Sequence, residues 1–195
     1  MTTKLKIKTS LSVDDLIGNL SQLDAPTLEY LINALQQIRI EKEQKSIEEE
    51  YGFWQLIAQI DWSKDTAEEK VKPLIEVLQQ ASIAAINEFS EQLARSLHQL
   101  DGPTYFEALK SKKEGVSSDT FLYARCLVVA KGKAFFEEVL QHPENMPKEE
   151  DFEALLYVAK EAYEQKTGVE YEFVPSVIYE SFFNQKLWKE KAILL

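Results

Sequence analysis

A chain of 195 residues, 45% of them hydrophobic and 11% aromatic, can bury a real core, which excludes a disordered acidic tail. Its 33 acids against 22 Lys and Arg leave a net charge of -11, which repels phosphate and disfavours general nucleic-acid binding. Six glycines and six prolines supply too few turns for an all-β sandwich.

Residues 4–9 alternate Lys4, Lys6 and Lys8 with Leu5 and Ile7, as a short strand or an arm would, and no apolar stretch of signal-peptide length follows. Ser12 reads as an N-cap with Asp15 behind it, a variant of the capping box. Val13, Leu16, Ile17, Leu20 and Leu23 then recur on one helical face. Asp24-Ala25-Pro26 restarts the chain, because proline is tolerated in the first turn of a helix. Leu28, Leu31, Ile32, Leu35 and Ile38 repeat the spacing, so an antiparallel helical hairpin is expected. The run EKEQKSIEEE over 41–50 is polar all round and suits a solvated connector. The expected domains are therefore 1–50, hairpin plus connector, and 51–195, a compact helical domain.

The second domain opens with Phe53, Trp54, Ile57 and Ile60 on a short helix after Gly52. Asp65 or Thr66, with Glu68 and Glu69 behind, marks another helix start. A long pattern follows through Leu74, Ile75, Leu78, Ala85, Ile86, Phe89, Leu93 and Leu97, with Pro73 expected in its first turn. Asp101-Gly102-Pro103 ends that helix and begins a short one. The next helix is expected from Ser118 or Asp119 to Gly132, where a left-handed residue would close it. Residues 133–141 form a further short helix. After a loop marked by Pro143 and Pro147, Phe152, Leu155, Leu156, Ala159 and Tyr163 share a helical face that Gly168 stops. Residues 170–174 alternate and read as extended, with Glu170 and Glu172 suited to pair with the lysines of 4–8. The last helix is placed from Ser176 and carries Ile178, Phe182, Phe183, Leu187 and Trp188. The fold class is all-α, with at most two very short extended segments.

The chemistry legible in these residues is sparse. His98 and His142 are the two histidines, and neither follows a carboxylate at the three-residue spacing of a helical metal site. Cys126 has no partner at zinc spacing and sits in an apolar run, where a buried thiol is the ordinary occupant. No metal and no cofactor are expected. Ser118 reads as a helix N-cap and Asp119 as a first-turn acid favoured by the helix dipole. Arg125 is the sharpest feature, a cation inside an apolar helix that needs a carboxylate or a route to solvent. Asp119 and Glu153 are its candidate partners, either in a structural ion pair or around a bound anion or ligand. Trp54, Trp62, Tyr157, Tyr163 and Trp188 fall at helical spacing, as core or rim residues do. The C-terminal apolar stripe and the final AILL either pack internally or make a homodimer contact.

Several motifs in order carry a family likeness. They are Phe53-Trp54, then Ser118-Asp119 before Phe121, then Arg125, Gly132 and Phe136. Tyr157-Val158-Ala159 and Ala162-Tyr163-Glu164 follow, leading to Thr167-Gly168. From about Phe53 to Gly168 the chain resembles the bacterial domain of unknown function 4240 family. The likeness implies a helical fold and no assigned reaction. Thr120, Ala124 and Leu127 depart from the family pattern, which tends to a second acid, an aromatic and a Trp there.

The expected role is a non-catalytic interaction or regulatory protein of immunity or antitoxin type, cytoplasmic, monomeric or homodimeric. Its acidic surface suits a basic protein partner, since opposite potentials speed encounter. The alternative is an enzyme whose site gathers Asp119, Arg125, Glu153 and Tyr157. Nucleic-acid binding through Lys4, Lys6, Lys8, Lys110, Lys112 and Lys113 is not expected, and no membrane association is expected.

Overall fold

A computed structural model describes residues 20, 23–36, 52–111, 114–147 and 152–192. The arm at 4–9, most of the first hairpin helix, the connector 41–50, Lys112, Lys113 and residues 193–195 lie outside the described residues. The chain divides into two compact units, Met1–Glu49 and Glu50–Leu195.

In the first unit a helix spans 25–36, called α1. Asp24 starts it by accepting the Thr27 N–H on Oδ1 at 3.0 Å, and Pro26 sits in the first turn as expected. Of the anticipated apolar face, Leu28 and Leu31 are half-buried, whereas Ile32 and Leu35 are exposed.

The second unit is a stack of helices around one apolar core, and no strand occurs among the described residues. It begins with α2 (Phe53–Ile57), whose Trp54 ring meets Phe136 at 5.2 Å and whose Phe53 meets Phe89 at 5.4 Å. Helix α3 (Ala67–Gln80) starts at a full capping box. Thr66 Oγ1 accepts from the Glu69 N–H, and Glu69 reaches back to the Thr66 N–H. Pro73 therefore lies inside α3, not in its first turn. Its missing N–H is tolerated because Val71, Leu74, Ile75 and Leu78 bury one face completely.

The long pattern to Leu97 is also two helices, not one. Ala81 turns extended, and Ser82 caps α4 (Ile83–Gln99) by accepting the Ala85 N–H at 3.1 Å. The apolar spacing passes through the break unchanged, so only the capping serine marks it. Short α5 (Pro103–Lys110) follows.

Helix α6 (Ser118–Ala130) runs through the middle of the unit and is buried on nearly every side from Phe121 to Ala130. A helix that is apolar all round belongs in a core, which explains why it lacks an amphipathic stripe. Its N-cap is Ser117, whose hydroxyl accepts the Thr120 N–H at 3.1 Å; Ser118 is already inside the helix. Gly132, at φ 95, allows the sharp turn into α7 (Lys133–Gln141).

A short 3-10 turn covers Pro143–Asn145, and a second one, Glu153–Tyr157, leads into α8 (Val158–Thr167). Helix α8 lies along α3 and ends at Gly168 in the left-handed conformation, as expected. Residues 169–184 have no regular structure. The helix anticipated from Ser176 forms only as α9 (Gln185–Ala192). Phe182 has φ 76, so a helix cannot pass through it. Residues 170–174 alternate exposed and half-buried side chains without pairing as a strand.

Candidate functional site

An open cleft of about 420 Å³ lies between α6, the Glu153–Tyr157 turn, α8 and the segment after Gly168. Its geometry starts from one backbone bond. The Phe152 N–H donates to the Tyr123 carbonyl at 3.3 Å, which fastens the 3-10 turn against α6 and sets Glu153 beside Tyr123. Within the turn, the Tyr157 hydroxyl donates to Glu153 Oε1 at 2.8 Å. The Glu153 carboxylate, with some burial, also pushes the Tyr123 phenol up to about 12. The same carboxylate raises Tyr157. Both phenols are therefore kept in their neutral form beside one carboxylate, and Tyr157 donates to it.

Asp119 and Glu180 add further negative charge at the cleft, against Lys160 as the one basic residue lining it among the described residues. Lys160 also lies 3.9 Å from Glu164, which dilutes its charge. Tyr171 and Tyr179, both raised by burial, complete an aromatic wall. A smaller depression of about 150 Å³ on the other side of Glu153 and Tyr157 brings in Glu68 and Glu161. The acidic ridge is thus shared by two hollows.

Of the residues singled out in the sequence, Asp119, Glu153 and Tyr157 meet at the cleft. Ser118 stands beside it, its hydroxyl donating to Asp119 Oδ1 at 3.2 Å. Arg125 does not belong to this group. It is fully buried in α6, and its donors go elsewhere. Nη1 bonds the Leu97 carbonyl at 2.9 Å and the Tyr179 carbonyl at 3.0 Å. Nη2 bonds Ser181 Oγ at 2.8 Å, and Nε makes a long bond to the Phe121 carbonyl at 3.4 Å. The guanidinium carbon lies 4.6 Å from the Phe121 ring centroid.

The expected ion pair of Arg125 with Asp119 or Glu153 is therefore corrected. Burial pulls the guanidinium below its ordinary value, and attraction from Asp101 works against that pull. Asp101, itself buried, spends its oxygens on the Phe182 and Asn184 N–H groups at 2.8 and 2.7 Å and on Trp188 Nε1 at 3.1 Å. In the sequence Asp101 reads as a helix stop before Gly102-Pro103, and nothing local marks its distant partners. Tyr123, Tyr179 and Glu180 likewise carry no local signal, because the tertiary fold alone brings them to one wall.

Among the described residues, no group of three or more His, Cys, Asp or Glu is placed to hold a metal ion, and no helix is long and apolar enough to cross a membrane. The cleft offers charged acceptors, phenolic donors and ring faces, a set that suits a cation.

A family model described as "Protein of unknown function (DUF4240)" matches residues 49–165. No curated protein and no solved structure matches the chain.

Proposed function

Because the chain belongs to the DUF4240 family, whose function is unknown, we propose that it is a non-catalytic protein-interaction protein that docks a basic segment of its partner in the cleft. The observation that supports this reading is the Glu153-centred arrangement, in which, among the described residues, two phenols and three acidic residues line the cleft with a single lysine. A net charge of -11 adds long-range attraction for a basic partner. Neutralisation of a basic toxin, as an immunity protein or antitoxin performs it, is a role of this type. A cytoplasmic location is part of the same proposal.

The test is capture by the immobilised full chain in low and in moderate salt, repeated with a Glu153→Gln, Tyr157→Phe double variant. The proposal expects a partner that salt weakens and the double variant loses. A partner held equally by both proteins, or no salt-sensitive partner at all, removes it.

The enzyme reading stands as the second proposal, since Asp119, Glu153 and Tyr157 line one cleft. Arg125 is buried away from that set, so a reaction there would draw on Tyr123 instead. Turnover of any substrate that is abolished by Glu153→Gln would favour it.

A further inference from the structure

From Val169 to Asn184 the chain crosses the helices without helix or strand, and it supplies one wall of the cleft through Tyr171, Phe173, Tyr179 and Glu180. Among the described residues, no main-chain to main-chain hydrogen bond joins this segment to α4, α6 or α8; its bonds of that kind to a helix run to α9, where the Gln185 and Trp188 N–H groups donate to the Phe183 and Asn184 carbonyls. Side chains do the fastening. Glu91 takes the Ser176 N–H at 2.7 Å and also its hydroxyl. His98 Nδ1 bonds the Ile178 carbonyl at 2.8 Å. Arg125 holds the Tyr179 carbonyl and the Ser181 hydroxyl, and that hydroxyl donates in turn to the Ser118 carbonyl at 2.7 Å. Asp101 holds the Phe182 and Asn184 N–H groups.

The segment also buries little for its length. Val174 is 82% exposed, Ile178 57% and Phe183 53%. Phe182 is held in a left-handed conformation that favours glycine. A stretch with exposed apolar side chains, local strain and no backbone ladder opens at a lower free energy than the helices around it. Its closed position is set by the Phe182 ring against Phe106 and Trp188, at 5.2 and 5.1 Å.

We infer that residues 176–184 form a latch that releases as a unit while the helices stay folded, so that the cleft is complete only when the latch is seated. Release carries Tyr179 and Glu180 out of the cleft wall and admits water to Arg125, which solvates the charge that loses its partners. A ligand of the closed cleft therefore shifts the latch toward its seated state. This last consequence rests on the docking reading above; the latch itself does not.

Amide hydrogen exchange on the full chain, read residue by residue by NMR, tests the latch. The hydrogen-bonded amides of Phe182 and Asn184 should exchange at least about tenfold faster than those of Val128 and Val129 in α6. Ser181→Ala removes the Arg125 and Ser118 bonds together. It should speed the first pair again and leave α6 unchanged. Equal rates for the two pairs in the wild type, or a uniform rise in Ser181→Ala, would mean opening only by global unfolding and overturn the latch. An arginine-rich peptide added to the wild type should slow exchange at Phe182 and Asn184. If the two pairs differ as expected but the peptide changes nothing, the latch stands and the docking reading falls.

Discussion

The N–H of Phe182 donates to Asp101 Oδ1 at 2.8 Å, and this bond helps to hold Phe182 at φ 76. The same carboxylate binds Asn184 and Trp188, so one buried acid organises the whole corner where the chain turns into α9. Arg125 completes the arrangement from the other side, through the Tyr179 carbonyl and Ser181. The two opposite charges act mainly through the backbone groups and side chains between them.

Asp101→Ala should destabilise the protein by about 3 kcal/mol, since three donors lose a charged acceptor in a buried place. Urea denaturation followed by far-ultraviolet circular dichroism measures it. A shift of the size seen for exposed ion pairs would show that the carboxylate is dispensable.

Arg125→Met should cost roughly 3 kcal/mol by the same measurement, because it strands the Leu97 and Tyr179 carbonyls and Ser181. Arg125→Lys should recover little of this loss. A lysine carries a compact charge and cannot reach acceptors spread around a planar guanidinium. Full rescue by lysine would mean that charge alone matters at this position.

Tyr123 should ionise far later than an ordinary tyrosine. Its phenol is pushed up to about 12, first by the Glu153 carboxylate and then by burial. The folded value lies above the unfolded one of about 10, so the stabilisation is fully present below about pH 10 and disappears as pH rises through about 12. Phenolate absorbance during an alkaline titration reads it directly. Glu153→Gln should move two tyrosines, Tyr123 and Tyr157, back toward the ordinary range; an unchanged curve would remove Glu153 as the cause.

Thr66→Ala should cost about 1 kcal/mol, by loss of one side of the capping box that starts α3. Thr66→Ser should retain most of the stability, because the hydroxyl is the group that acts. Thermal unfolding of the two variants separates these outcomes.

Helix positions were legible where the signal was local. The helix start at Asp65 or Thr66, Pro103 in a first turn and Gly168 at a helix end each act over a few residues; Thr66 proves to be the cap, and the other two lie where their chemistry suggests. Pro73 inside a helix and the break at Ala81-Ser82 have no such signal, because an apolar face at helical spacing continues across both. The helix expected from Ser176 fails for a related reason. Ile178, Phe182 and Phe183 mimic a helical stripe, yet all three are exposed along a segment held in non-helical form by Asp101 and Arg125.

By itself the sequence determined an all-helical chain, a central helix too apolar for a surface, and an acid-rich exterior, since periodicity, capping and charge are properties of neighbouring residues. Only the tertiary structure decided what Arg125 touches and which tyrosines surround Glu153. Arg125 reaches Ser181 across 56 residues and Asp101 reaches Phe182 across 81, and a contact at that separation leaves no trace in the pattern around either partner. The apolar surroundings of Arg125 demanded a partner of some kind; backbone carbonyls met that demand, because the packing of α4 and the segment after Gly168 brought them within reach of a buried charge.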